Sequence, residues 1–168
     1  MKKTHLINFL ICFIILASVG MTYAAPQLDQ VYDTSIMNSM SSDIGRTDKA
    51  QTFTVGVTGT LNQVDLDLRK WIPGTKNGIP IPIGNLFFDV RTTVNGFPDE
   101  NDSTTLASMV IAEASIPTAR SFYSFDISSY GASVTSGDVL AIVLRSDSEN
   151  LTDYKWFGAN ALFDPTYN

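Results

Sequence analysis

The sequence predicts an all-β fold, a sandwich of two antiparallel sheets, and three observations predict it. No stretch between residues 51 and 168 sustains an apolar stripe of helical period. Short segments of period-2 alternation recur instead, separated by Gly, Pro, Asn and Asp. One segment, 139–144, is apolar on both parities, as a central strand covered on two faces must be. Among such sandwiches a jelly roll is the expected variant.

The chain opens on a leader. Lys2 and Lys3 precede an apolar run over 6–19, and Thr22-Tyr23-Ala24 offers a small residue for cleavage. Cleavage is expected after Ala24, since a cut after Ala25 would put Pro26 first. An uncleaved anchor is disfavoured because the run is shorter than the ~20 residues of a bilayer span. Cys12 lies inside the run, away from the cleavage point, so lipid attachment is not indicated. Residues 1–24 are therefore read as a signal peptide. The product is expected to be exported to the periplasm, cell surface or medium, with no stable membrane insertion.

Residues 25–50 are polar, rich in Ser, Asp and Met, and read as an arm or long loop. The sandwich is expected over 51–168. Gln51 to Val55 is a first strand, turned by Gly56 and Gly59. Over 60–71, Val64, Leu66 and Leu68 fall on one face and Asp65, Asp67 and Arg69 on the other, the pattern of a half-buried strand. Pro73, Gly74, Gly78, Pro80 and Pro82 make 72–84 an expected exposed loop. In the next strand Leu86, Phe88 and Val90 alternate with Phe87, Asp89 and Arg91, up to an Asn95-Gly96 turn. Further strands are expected over 104–116, 121–127, 138–145 and, briefly, 154–157.

Removing the leader leaves 168 − 24 = 144 residues, a normal length for one domain. It also removes the single His5 and the single Cys12. Without them, a Ser-His-Asp or Cys-His nucleophile system has no imidazole, and zinc sites built on His or Cys have no ligands. No disulfide can form, so stability must come from packing, with or without a bound ion. The charge becomes 9 − 17 = −8 once Lys2 and Lys3 are lost, which disfavours nucleic acid and anionic lipid as partners.

Several phrases taken together have a familiar order. They are Leu28-Asp29-Gln30, the run Ala50-Gln51-Thr52-Phe53-Thr54-Val55-Gly56, then Gly59-Thr60-Leu61 and Val64-Asp65-Leu66. Phe125-Asp126-Ile127-Ser128 and the run from Val134 to Leu144 follow. From Asp29 to about Gly158 the chain resembles secreted bacterial β-sandwich domains of the choice-of-anchor type. The resemblance implies export and surface or matrix association, with no shared catalytic residue. Similar chains continue into a closing strand and sometimes an anchoring tail, whereas this one stops at Tyr167-Asn168. On that comparison either the domain is shortened or the gene is truncated and a sheet edge is left open.

Candidate functional residues fall in three groups. Asp65 and Asp67 would lie roughly 7 Å apart on one strand, within the range of an inverting glycosidase pair. Both project in parallel, however, whereas an acid and a base must flank the bond, so they are read as solvated strand-face carboxylates and the chain as no enzyme. Asp99, Glu100 and Asp102 in an acidic loop are candidate ligands for Ca²⁺, which takes six to eight oxygens. The competing reading is an ordinary charged turn. Trp71 continues the face of Asp65, Asp67 and Arg69, while Tyr154 and Trp156 share a face of the last strand. An exposed ring beside carboxylates and an arginine suits a sugar, and the competing reading makes both tryptophans core plugs. The expected function is a secreted, non-catalytic glycan-binding domain. The alternative is a structural or surface-associated module whose partner is a protein or envelope component.

Overall fold

The computed structural model describes residues 27–29, 41–45, 47–71, 75–76, 79–148, 150 and 152–157. Residues 1–24, read above as a leader and including His5 and Cys12, lie outside them, as do residues 158–168. Among the described residues thirteen strands run in chain order: β1 (Ser41–Ile44), β2 (Lys49–Thr54), β3 (Gly59–Leu61), β4 (Gln63–Lys70), β5 (Thr75–Lys76), β6 (Ile79–Pro80) and β7 (Leu86–Val94). β8 (Phe97–Pro98), β9 (Thr105–Ile111), β10 (Ser121–Asp126), β11 (Ala132–Val134), β12 (Val139–Ser146) and β13 (Tyr154–Phe157) complete the set. Among the described residues there is no α-helix, only short 3-10 turns.

One sheet has the order β1-β13-β4-β10. The other runs β2-β12-β7, with β9 on the far side of β7 and β8 paired to its end. All these pairs are antiparallel. First and last strands lie side by side, and chain-neighbours β1 and β2, β9 and β10, β12 and β13 sit in opposite sheets. That is the strand order of a jelly roll, two Greek keys folded on each other. β13 occupies the closing position beside β1.

Alternation explains which face goes inward. Leu66 and Leu68 of β4, Phe125 of β10, and Leu86, Phe88 and Val90 of β7 are all buried in one core. Phe88 and Phe125 stack across the two sheets with ring centroids 4.1 Å apart. In β12, Leu140, Ile142 and Leu144 join that core, while Ala141 and Val143 are buried on the opposite face. The both-parities pattern therefore marks a strand covered twice over 140–144, while Val139 at its start is exposed. The β7–β8 hairpin turns at Asn95 and Gly96, with φ of 55° and 84°. Both positive angles belong to the type I′ turn that Asn-Gly favours.

Four sequence expectations need correction. The polar arm already contains β1 and the start of β2; β1 contributes Ile44 to the core, and the polar residues around Ile44 in sequence hide the strand. Within the expected loop 72–84, the short strands β5 and β6 pair, with Pro80 opposite Thr75 at an edge where no amide is missed. Asp67 is buried rather than solvated, at 6% exposure. Tyr154 and Trp156 face the core, because β13 places Trp156 opposite Leu68 and Tyr154 opposite Lys70, on the inward parity of β4.

The register of β4 gives a direct test. Leu66→Ala is expected to cost about 2–5 kcal/mol, since the buried side chain leaves a cavity between the sheets. Asp65→Ala, at an exposed residue whose carboxylate accepts from Gln63 Nε2 at 2.8 Å, should stay within about 1 kcal/mol. Equal losses in urea unfolding would mean that β4 presents the other face.

Candidate functional site

The outward face of β1-β13-β4-β10 gathers the charged and aromatic residues that the core leaves out. Along β4 it presents Asp65, Asp67 and Arg69, and Trp71 follows just past the strand. The neighbours are set by register: Lys155 stands opposite Arg69 and Phe157 opposite Asp67 on β13, while Phe122 and Ser124 stand opposite Asp67 and Asp65 on β10. On β1, Asp43 lies opposite Lys155. Trp71 is fixed through its backbone, whose N–H donates to Asp153 O at 2.7 Å.

Cations and rings alternate across this face. Lys155 Nζ lies 5.0 Å and Arg69 Cζ 5.2 Å from the centre of the Trp71 ring. Arg69 also stands 5.7 Å from Phe157, and Arg120, just before β10, lies 4.3 Å from the same ring. These distances are in the range of cation–π attraction. Trp71 remains 38% exposed and Phe122 61%.

The carboxylates divide the cations unequally. Arg120 donates to Asp67 Oδ2 through Nε at 2.8 Å and Nη2 at 2.6 Å. The Asp67 carboxylate, mainly through this hydrogen bond, holds the Arg120 guanidinium above its ordinary value against the opposing effect of desolvation. Lys155 Nζ pairs with Asp43 Oδ1 at 2.5 Å. Arg69 has no carboxylate partner among the described residues, and its buried Nε lacks an acceptor. Asp67 Oδ1 is likewise buried and unpartnered.

The structure thus brings Asp65, Asp67, Arg69 and Trp71 together and separates Tyr154 and Trp156 from them. Trp156 is 7% exposed within the core. Tyr154 donates its hydroxyl to Gly84 O, and burial, with the charges of Asp153, Glu113 and Asp147, pushes its phenol far above the ordinary range. It is a neutral packing residue with a satisfied hydroxyl, not a contact for ligand. Sequence reasoning missed Arg120, Phe122, Lys155 and Phe157. The parity of β13 separated Lys155 and Phe157 from Tyr154 and Trp156, but alternation alone does not tell which pair points out.

The acidic loop is organised as a turn. Asp99 Oδ1 accepts from Asn101 N at 3.0 Å, and Asn101 Oδ1 accepts from Ser103 N at 3.1 Å, capping the 3-10 turn Asp102–Thr104. Among the described residues no three His, Cys, Asp or Glu side chains converge as metal ligands. Local hydrogen bonds hold Asp99 and Asn101 to the turn's own backbone, and no such convergence supports Asp99, Glu100 and Asp102 as the Ca²⁺ ligands they were candidates for.

No helix among the described residues is long and apolar enough to cross a membrane. No family model matches the chain, and no curated protein or solved structure matches it.

Proposed function

We propose that this chain is an exported, non-catalytic β-sandwich domain that binds glycan on the outward face of β1-β13-β4-β10, around Trp71. The observation that carries the reading is the half-open Trp71 ring at the end of the row Asp65, Asp67 and Arg69. A planar ring covers the C–H face of a pyranose by dispersion, and flanking charged groups bond its hydroxyls. Phe122 extends the apolar part of the same face. The leader-like start and the resemblance to choice-of-anchor domains support export.

A second reading, a structural module with a protein or envelope partner, is favoured by β10. This strand ends its sheet without a Lys or Pro guard and exposes Phe122. A glycan-array screen of the exported protein separates the two readings. Under the first, Trp71→Ala is expected to weaken binding by about 2 kcal/mol or more, the scale of an aromatic hot spot. Its melting transition should move by no more than about 1 kcal/mol equivalent, as for a surface change. Undiminished binding by a folded Trp71→Ala variant would remove the platform, and a parent that binds no glycan would leave the structural module.

A further inference from the structure

The charges beside Trp71 do not balance. Arg69 and Lys155 are directly opposed in register on neighbouring strands, and like charges so placed repel. Lys155 is answered by Asp43 and Arg120 by Asp67, but no carboxylate among the described residues answers Arg69. Asp65 sits four residues back along β4, about 13 Å away at the strand rise, too far to neutralise it. Arg69 is held in place by the Trp71 and Phe157 rings rather than by a carboxylate.

We infer that the glycan taken by this face is anionic, its carboxylate or sulfate pairing with Arg69 while its pyranose ring lies on Trp71. The inference rests on the glycan reading and narrows it to a chemical class. An anion beside Arg69 also lies near Lys155, so it relieves the cross-strand repulsion that the free protein carries. Guanidinium supplies paired donors to such an oxyanion. The net charge, −6 for the full chain and −8 without residues 1–24, does not oppose this at contact range, because physiological salt screens charges beyond about 8 Å.

The test uses the full exported chain and two matched pairs of probes: oligogalacturonate with its methyl ester, and a sulfated galactan oligomer with its desulfated form. Calorimetric titration should show at least one charged probe binding about tenfold tighter than its uncharged partner, the scale of one charge-assisted contact. The pair that shows the preference identifies the anion. Rising salt should shrink the preference, and Arg69→Gln should abolish it. Equal affinities within both pairs would overturn the inference, and so would a preference that survives in Arg69→Gln. The parent comparison needs no variant, so a poorly folded Arg69→Gln would not obscure the result. Binding of uncharged forms without preference would leave the glycan reading standing and remove only the anion; no binding of any probe would overturn the inference, while the glycan reading stands or falls on the array.

Discussion

Asp153→Ala is expected to destabilise the domain by about 3–5 kcal/mol in chemical unfolding, because it strips the acceptor from a buried cluster of donors. Asp153 is fully buried immediately before β13. Its Oδ2 accepts from Gly84 N at 3.1 Å and from the hydroxyls of Ser146 and Ser148, and its Oδ1 accepts from Asn150 Nδ2 at 2.8 Å. Asn150 also donates to Pro82 O at 2.6 Å. One carboxylate thereby joins the approach to β7, the end of β12 and the start of β13. The joint leaves no room for a side chain at residue 84, where a Cβ would come within 2.7 Å of Ser148 N and 2.5 Å of Ser146 Oγ. Asp153→Asn should recover only part of the loss, since it keeps the shape but not the charge and turns an N–H toward donors. A change below about 1 kcal/mol for the alanine variant would mean that water, not protein, satisfies this carboxylate.

The same residue links stability to the surface proposed for binding. The Asp153 backbone accepts from Trp71 N and donates to Ile44 O, each at 2.7 Å, so it ties β1, β4 and β13 together at one end. The outward row of Trp71, Arg69 and Lys155 begins at that junction. Loosening it should therefore disturb the face as well as the core.

What the sequence made legible follows from how far apart the determining contacts lie. Alternation within β4 and β7 is local, and it correctly assigned Leu66, Leu68 and Phe88 to the interior. The Asn95-Gly96 turn is local too. Asp67 read as solvent-facing because nothing near it in sequence compensates a buried carboxylate; its partner Arg120 comes from 53 residues away. Asp153 escaped notice for a similar reason, since Gly84 reaches it across 69 residues. β13 is the instructive case. Tyr-Lys-Trp-Phe is amphipathic in neither sense, with an aromatic on each parity, so period 2 groups its residues without saying which group is inside. Pairing with Leu68 decides the matter, and that pairing is long-range.

Trp156→Ala is the second change expected to have a large effect, a loss of about 3–5 kcal/mol for removing a core indole. The ring lies between Ser42 and Leu68 in register and packs with the buried residues of both sheets. Little of it reaches water, so truncation opens a cavity that the strands cannot close without moving β13. Trp71 should behave in the opposite way, and the chain's two tryptophans allow each to be observed alone. With Trp156 alone, in Trp71→Ala, the emission should be blue-shifted and shielded from iodide. With Trp71 alone, in Trp156→Ala, it should be red-shifted and readily quenched, provided the spectra are taken where that variant is folded. If Trp156→Ala unfolds at the parent's urea midpoint, or if its remaining tryptophan proves the shielded one, the assignment of faces on β4 and β13 is inverted. The proposed binding row would then point into the core, where its charges could not be held unpaired.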